Sequence, residues 1–331
     1  MNEQRASAAG RVCPADYRYP AAALRRAPEV RSETLYVVGG LYGNRPALDV
    51  VEAMAQSERA ETTVVFNGDF HWFDATPERF ADISGRVVRH LALRGNVETE
   101  LGRAHDIGAG CGCTYPDAVD QGTVDRSNLI LGRLRGCLED LPGMRDVLPA
   151  LPMTLLATVG PLRVGIVHGD AESLAGWRFA HDALDASGAR AWLEGVRVAS
   201  GVDVFASSHT CLPVLRDVAL EAGRLTIANN GAAGMPSFRD TCHGILTRIS
   251  IHPSPHPAIH GVERDGVFIE ALPIPYDQRR WLREFVAIWP PGSPAYESYF
   301  RRMVDGPQYT RSEFLAAAGE VATVARRERA A

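Results

Sequence analysis

The chain has 331 residues, of which 46% are hydrophobic, so it is long enough to bury one large core with additional segments. A net charge of −5 and a pI near 6.1 exclude a general electrostatic attraction for nucleic acid. The six cysteines are scattered, no apolar run approaches a membrane span, and the N-terminus lacks an apolar signal core, so we expect a cytoplasmic protein with reduced thiols and no membrane partner.

The composition divides the chain into three predicted parts. Residues 1–32 are rich in Ala, Arg and Pro, which predicts a loosely ordered arm. Residues 33–275 carry alternating strand and helix patterns and are expected to form the main domain. Residues 276–331 are rich in aromatic residues and Arg, with a closing helix expected over 311–327, and should pack on that domain as an extension.

The first part of the main domain alternates between strands and helices. In chain order, the patterns predict a strand at 34–38, a helix at 45–58, a strand at 62–66, a helix at 77–90 and a short strand at 91–94. Pro46 suits the first turn of the first of these helices. This βαβαβ order predicts a sheet with parallel strands at its centre.

The rest of the domain is predicted to hold more strands than helices. A long loop covers 102–122, helices are expected at 123–140, 171–187 and 189–198, and strands at 153–158, 162–167, 203–206, 214–218, 224–228, 244–251 and 266–272. The loop contains Cys111 and Cys113, but a CxC motif without a second pair is a weak metal or redox signal. We therefore expect these two cysteines to be free thiols.

Polar motifs follow several of the predicted strands. Asn67-Gly-Asp-Phe-His71 follows the strand at 62–66, and the later fragments are Arg94-Gly-Asn-Val-Glu98, Val167-His-Gly-Asp170, Ser208-His-Thr-Cys211 and Asn229-Asn-Gly-Ala232. Strand ends of this kind meet at one edge of a sheet, where open α/β folds bind ligands. The carboxylate, amide and imidazole groups within them form a mixed oxygen and nitrogen set that suits Mn, Fe, Zn or Ni. The sequence therefore predicts a metal site at Asp69, Asn96, His168 and His209.

The order and spacing of these motifs resemble the calcineurin-like metallophosphoesterases, whose motifs run DxH, GDxxD, GNH(D/E), HG and GHxH. The resemblance spans about residues 35–234. It implies an α/β fold, a four-layer αββα sandwich of two facing mixed sheets, with the four predicted ligands forming the second metal site of the family. In that family two metals share the Asp of the second motif and hold a hydroxide that attacks phosphorus. The resemblance thus implies a metal-dependent hydrolase acting on a small phosphomonoester or phosphodiester.

The chain departs from the family pattern at one place in particular. Gly40 and Tyr42 stand where the first motif has Asp and His, Val97 stands where the third has its catalytic His, and Cys211 replaces the last His. In the family, the missing residues bind or act beside the first metal. The losses cluster at that site, so it is either empty or rebuilt, and one or two divalent transition metals per chain are expected.

Several residues are candidates for rebuilding the first site. Cys211 is either a thiolate ligand or a small buried hydrophobic residue. His71 lies two residues beyond Asp69, on the same side of an extended strand end, and is either a ligand or a pocket residue. Asp74 and Tyr42 are further candidates.

The loss of the catalytic His leaves the leaving group without its usual acid. Either His71 or Glu98 replaces that acid, or the substrate carries a good leaving group. The candidate catalytic residues are Asp69, His71, Asn96 and Glu98. Arg94, Arg126 and Arg178 are candidates for binding the phosphate through paired N–H groups.

Two other functions fit the same sequence. One is different metal chemistry, not a phosphatase reaction, on the same scaffold, and the other is a catalytically silent binding module that keeps one metal for structure. Retention of all four second-site ligands favours the hydrolase. The identity of the substrate, the metal and the oligomeric state stay open, and a homo-oligomer is one arrangement that the sequence allows.

Overall fold

A computed structural model describes residues 9–318, which contain two six-stranded sheets. The strands are β1 Val30–Ser32, β2 Thr34–Val38, β3 Thr62–Asn67, β4 Leu91–Leu93, β5 Thr154–Val159, β6 Leu162–Val167, β7 Val204–Ser207, β8 Pro213–Leu220, β9 Gly223–Asn230, β10 Gly244–Ser250, β11 His260–Arg264 and β12 Val267–Ile274. The first sheet has the order β11-β12-β10-β2-β3-β4, and the second has the order β1-β5-β6-β7-β9-β8.

Both sheets are mixed, and the strands that lead into the polar motifs run parallel to one another. In the first sheet β2, β3 and β4 are parallel, while β10, β11 and β12 pair antiparallel. In the second sheet β6, β7 and β9 are parallel, β5 pairs antiparallel with β6 but parallel with β1, and β8 pairs antiparallel with β9. The parallel β2–β3–β4 core confirms the predicted parallel strands, and β5 and β6 confirm the strands predicted at 153–158 and 162–167.

Alternating side chains along the strands hold the two sheets face to face. In the first sheet Leu35 and Val37 pack in one buried cluster with Ala157 and Val164 of the second sheet. The intervening Tyr36 points the other way, into the cluster that includes the helices. Because successive side chains on a strand point to opposite faces, this alternation places an apolar layer between the sheets and another outside each. The four-layer αββα sandwich is confirmed.

Helices cover the outer faces. They are α1 Arg45–Gln56, α2 Pro77–Val87, α3 Asn96–Leu101, α4 Gln121–Cys137, α5 Met144–Ala150, α6 Ala189–Ser200, α7 Gln278–Ile288, α8 Pro294–Asp305 and α9 Arg311–Ala317. Helix α1 begins where predicted, because the Asn44 side chain accepts the N–H of Ala47 and Pro46 occupies the first turn. Its Leu48 packs on the first sheet, while Leu193 of α6 packs on the second.

The predicted helix at 171–187 is wrong. The segment holds only a short 3₁₀ turn, Ala183–Asp185. The cause is Asp170, whose carboxylate accepts the backbone N–H groups of Glu172 and Arg178 and closes the chain into a loop. A Cβ at Gly176 would lie within 1.9 Å of that carboxylate, so the loop packs directly against it.

The N-terminal segment is more ordered than predicted. Tyr17 and Leu24 are fully buried, and β1 pairs with β5. The Tyr17 hydroxyl donates to the buried carboxylate of Glu100 at 2.7 Å. The prediction of a loose arm is therefore wrong for residues 9–32, and residues 1–8 lie outside the described part of the chain.

The C-terminal extension shares the core of the first sheet. Trp281 and Phe285 of α7 are buried in the same cluster as Tyr36 and Phe73. The Trp289 indole N–H donates to the Phe73 carbonyl at 2.9 Å. The predicted closing helix begins at Arg311 as expected, and its part beyond residue 318 lies outside the described residues. Within residues 9–318, no helix combines the length and apolar character needed to span a bilayer.

Candidate metal centre

The structure brings the four predicted ligands together at one edge of both sheets. Asp69 follows β3, Asn96 begins α3, His168 follows β6 and His209 follows β7, and each is at most 6% exposed. The His168 Nε2 lies 3.1 Å from Asn96 Oδ1, 3.1 Å from His209 Nδ1 and 3.4 Å from Asp69 Oδ2. One ligand atom each of Asp69, His168 and His209 lie within 4.8 Å of one another, so this buried group can hold a metal ion.

The tight loop after β3 sets the position of Asp69. Asp69 adopts a left-handed backbone conformation with φ +51°, and Gly68 before it has φ +92°. A Cβ at position 68 would lie 2.6 Å from the Gly95 backbone and from His168 Nδ1, so glycine is required there. The loop is held by Glu98, whose carboxylate accepts the backbone N–H groups of Asp69, Phe70, His71 and Gly95.

Backbone carbonyls orient the ligand side chains from behind. His168 Nδ1 lies 2.9 Å from the Asn67 carbonyl, His209 Nε2 lies 3.0 Å from the Cys113 carbonyl, and Asn96 Nδ2 donates to the Cys111 carbonyl at 2.9 Å. Because a carbonyl can only accept, these contacts assign the ring protons to His168 Nδ1 and His209 Nε2, the nitrogens that face away from the group of ligands. His168 Nε2, His209 Nδ1 and Asn96 Oδ1 then meet as three lone pairs beside a carboxylate. A cation relieves that repulsion, so the residues fit a metal.

The electrostatics of the site favour the metal-binding forms of Asp69 and His209. Burial, together with the neighbouring His168, lowers the pKa of His209 to about 3, so its ring is neutral. Burial would raise the pKa of Asp69, but His168 and His209 outweigh it and lower that pKa. Burial would lower the pKa of His168, yet Asp69 and the Asn67 carbonyl raise it, so a proton and a metal compete for its Nε2.

A small cavity of about 40 Å³ lies beside this group. Three of the four predicted ligands, Asp69, Asn96 and His209, form part of its wall. The remaining wall is mostly aromatic, with Tyr42, Trp72, Val97, Cys113, Tyr115, Trp177, Cys211 and Tyr299. None of the described residues that line it is Arg or Lys.

Tyr42 occupies the place where the first metal site of the resembling family would be built. A Cβ at Gly40 would lie within 3.0 Å of the Tyr42 ring, so the ring fills the space that a side chain at position 40 needs. The Tyr42 hydroxyl lies 3.0 Å from the Cys211 sulfur. Cys211 lines the cavity but is not in the group of close donors, and burial raises the pKa of its thiol although Arg302 opposes this.

His71 and Glu98, two of the predicted catalytic residues, do not reach the cavity. His71 is fully buried, its Nδ1 lies 2.6 Å from Asp74 and its Nε2 lies 3.0 Å from the Ser84 hydroxyl. Its ring stacks on Phe80 at 3.6 Å. The Glu98 carboxylate is committed to four backbone N–H groups. We assign both residues, with Asp74, to positioning the loop that carries Asp69.

The three predicted phosphate-binding arginines lie away from the cavity wall. Arg94 donates to the Pro149 carbonyl, Arg126 donates to the Ser298 hydroxyl at 2.7 Å, and Arg178 lies over the Trp192 ring at 4.8 Å. The guanidinium that does contact the wall is that of Arg302 in α8, which donates to the Cys211 carbonyl at 2.6 Å. Sequence reasoning missed Arg302 because α8 lies outside the motifs and approaches the site only in the folded chain.

The two cysteines of the CxC motif form a disulfide in the loop that supports the ligands. The prediction of free thiols there is therefore wrong. Among the described cysteines, Cys13, Cys137, Cys211 and Cys242 are free. The carbonyl groups of Cys111 and Cys113 are the same ones that accept from Asn96 and His209, so the disulfide lies directly behind the metal ligands.

Comparisons with known proteins identify the fold. Neither a protein-family model nor a curated protein matches the sequence. The hypothetical protein PH1004 from Pyrococcus horikoshii OT3 is similar in structure, with a TM-score of 0.55 and 15% identity over 83% of this chain and 99% of that one. A metallophosphoesterase from Sphaerobacter thermophilus has a TM-score of 0.51 and 13% identity over 83% of this chain and 100% of its own. This chain therefore has the calcineurin-like metallophosphoesterase fold that its motif order predicted.

Proposed function

We propose that this protein is a hydrolase of phosphate esters that uses one divalent transition metal held by Asp69, Asn96, His168 and His209. The observation that carries the proposal is the convergence of lone pairs from these side chains, with their hydrogens directed away to backbone carbonyls. The mixed oxygen and nitrogen set matches Mn, Fe, Zn or Ni. When bound, such a metal supplies Lewis acidity and lowers the pKa of water from about 15.7 toward 7.

The protein residues supply orientation around that metal. The Val97 backbone N–H donates to Asp69 Oδ1 at 3.2 Å, which leaves Oδ2 facing His168 Nε2 and the centre of the group. The Asn67 and Cys113 carbonyls fix the two imidazole rings, and such partners raise ligand basicity. Tyr42 and Trp72, the buried part of the aromatic wall, limit the access of bulk water to the reacting group, which strengthens the electrostatic interactions within the site.

One metal per chain is proposed instead of two. Gly40 provides no side chain to bind a metal, and the Tyr42 ring, which contacts Cys211, fills the space that such a side chain would need. The first metal site therefore lacks a ligand at position 40 and the space for one. Cys211 is not among the close donors. The predicted role of Cys211 as a ligand is therefore replaced in this proposal by a role in the cavity wall.

A second candidate is different metal chemistry on the same scaffold. The specific observation in its favour is a cavity wall without Arg or Lys among the described residues, since phosphate sites usually recruit such cations. Hydrolysis of an ester that is not a phosphate would need the same metal but fewer positive charges.

The test is metal analysis combined with hydrolysis of a panel of phosphomonoesters and phosphodiesters. We expect one metal per chain in the wild type, none in Asp69→Asn, and metal-dependent hydrolysis of at least one phosphate ester. Asp74→Asn is the matched control, because it also neutralises a buried carboxylate near the loop but should retain the metal. Two metals per chain would contradict the single site. A retained metal with no activity on any phosphate ester would favour the second candidate.

A further inference from the structure

The mouth of the cavity is formed by aromatic side chains, which we call the aromatic rim: Tyr115, Trp177 and Tyr299. All three line the cavity and are half-buried, whereas the ligands behind them are almost wholly buried. The rim residues come from three separate segments, the loop after α3, the loop after β6, and α8. A cavity of about 40 Å³ holds only a few non-hydrogen atoms, so the rest of any substrate must lie on this rim.

Contacts behind the rim hold its rings in place. The Trp177 indole N–H donates to the Cys113 carbonyl at 3.1 Å, and its ring lies 5.3 Å from that of His209. Tyr115 contacts the Ser127 hydroxyl at 3.1 Å, and its ring lies 6.2 Å from Trp177. The Tyr299 ring packs edge-on against Phe73 at 5.1 Å. The rim is therefore a prearranged surface for a flat, apolar group.

Within residues 9–318, the same cavity lacks a carboxylic acid or free imidazole to protonate a leaving group, and phenol and thiol groups, with ordinary pKa values of about 8.5–10, are weaker proton donors. Apart from the metal ligands, its lining contains phenol and thiol groups but no carboxylate or free imidazole among the described residues. Val97 stands at the family's acid position, and His71 and Glu98 are enclosed by their own partners. A phenol, with a pKa of about 10, leaves as an anion far more readily than an alkyl alcohol, whose pKa is near that of water at about 15.7.

These two observations, an aromatic rim and a described lining without a free carboxylic acid or imidazole, point to one class of leaving group. We infer that the substrate is a phosphate ester of a phenol, with its phosphoryl group at the ligands and its aryl group on the aromatic rim. This inference rests on the proposed function. In the reaction, water oxygen forms a bond to phosphorus, the bond from phosphorus to the phenol oxygen breaks, and the phenolate keeps the electron pair. The products are the phenolate and dihydrogen phosphate, and the phenolate takes its proton from the solvent.

Aromatic rims also bind quaternary ammonium groups, which is the main rival occupant. Two features favour the aryl group. A divalent metal at the ligands repels a second cation nearby, and the described cavity lining has no carboxylate other than Asp69, which the metal engages. The test must therefore distinguish an aryl group on the rim from a quaternary ammonium group.

The test compares phenylphosphonate with methylphosphonate by titration calorimetry on the metal-loaded protein, a readout that needs no turnover. We expect phenylphosphonate to bind roughly tenfold tighter, because its ring stacks on aromatic side chains and methylphosphonate has no ring. Tyr299→Leu should reduce that ratio at least threefold, and Tyr115→Leu serves the same purpose if the first variant does not fold. Tyr296→Leu is the matched control, because Tyr296 lies in the same helix, stacks on Phe300 and is absent from the cavity wall.

The outcomes separate this inference from the proposed function. Equal affinity for the two phosphonates, or tighter binding of phosphocholine than of phenylphosphonate, overturns the aryl assignment. So does hydrolysis of alkyl phosphates with a kcat/KM equal to that of aryl phosphates, although the proposed function then stands. If neither phosphonate binds and no phosphate ester is hydrolysed, the proposed function fails and the inference fails with it.

Discussion

Two buried histidine clusters in this molecule contain similar residues but differ in where their hydrogen bonds point. In the first, which we call the closed cluster, His71 is held between Asp74 and Ser84, and both ring nitrogens have a side-chain partner. In the second, the open cluster, His168 and His209 each donate one ring N–H to a backbone carbonyl. Their other ring nitrogens meet beside Asp69 at the wall of a cavity.

The comparison shows how structure and function divide among similar side chains. The closed cluster has the Ser–His–Asp order of a hydrolytic triad, yet it is sealed, with its ring stacked on Phe80. A group without access to a substrate cannot act on one, whatever its geometry. The open cluster leaves lone pairs without hydrogens, and such a group needs a cation. Access and unmet lone pairs, not residue type, mark the reactive centre.

The largest expected effect is the loss of the open cluster. His168→Ala removes the side chain that contacts all three other ligands, so the bound metal and hydrolysis should both be lost. Removing partners behind a ligand costs about 10–100-fold in metal affinity or activity, so removing the ligand itself should cost more. Elemental analysis and kcat/KM measure the two effects. If His71→Ala lost the metal to the same extent, the distinction between the clusters would be wrong.

The closed cluster should instead govern stability. His71→Ala removes a fully buried ring and takes away the partner of Asp74 Oδ2 and of the Ser84 hydroxyl, while Asp74 Oδ1 still accepts the Trp72 N–H. We expect the free energy of unfolding to fall by about 2–5 kcal/mol, with the metal content still at one per chain. Urea denaturation followed by circular dichroism measures the loss. His71→Asn, which keeps some hydrogen bonding, should lose less, and an unchanged stability would argue against the closed cluster as a structural element.

The pH dependence of stability also distinguishes the two clusters, because a proton and a metal compete for His168 Nε2 in the open cluster. Burial opposes protonation of His168, but Asp69 and the Asn67 carbonyl raise its pKa above the ordinary value of about 6.5. Without metal, this contribution to stability is complete below about pH 6.5 and is lost as pH rises through the folded pKa. The metal-free Tm should therefore fall across that range, while the increase in Tm that metal produces should grow.

Thermal scans at several pH values, with a chelator and with added metal, test whether the metal-free Tm falls while the metal-induced increase in Tm grows. Because its pKa of about 3 lies below the unfolded value of about 6.5, His209 costs stability increasingly as pH falls below about 6.5, and it contributes little above that pH. His168→Asn provides the control, because it removes the ring with the raised pKa and should abolish the fall in metal-free Tm above about pH 6.5. A metal-free Tm that rises with pH across this window would contradict the assignment of the proton to His168.

Local apolar patterns predicted most of the strands, and the resemblance in motif order implied the sandwich and the convergence of the four polar side chains. Alternating apolar residues define the strands, and Asp69, Asn96, His168 and His209 each lie at or next to a strand end. What the sequence could not predict depends on contacts between distant segments. Tyr299 and Arg302 reach the site only because α8 packs on the first sheet's core. His71 was misread because its two-residue spacing from Asp69 assumed an extended chain, whereas Asp69 has φ +51° and the chain turns there.

The smallest expected effect concerns the disulfide behind the open cluster. The carbonyls of Cys111 and Cys113 accept hydrogen bonds from Asn96 and His209. Reducing the disulfide should therefore make these two ligands less well ordered without removing either. A small dithiol reduces the pair to two thiols and is itself oxidised to a disulfide. We expect metal affinity to fall only severalfold, below the roughly 10–100-fold cost of deleting a partner behind a ligand outright.

Competition titration with a chromogenic chelator, before and after reduction, measures this change. A Cys111→Ser, Cys113→Ser double variant should show the reduced affinity under all conditions, while Cys242→Ser, at an exposed free cysteine, should respond to reduction as the wild type does. The closed cluster has no contact with this loop among its described hydrogen bonds, so its stability contribution should not depend on the dithiol. If reduction left metal affinity unchanged, the carbonyls would hold their positions without the disulfide, and the order of the open cluster would come from the loop backbone alone.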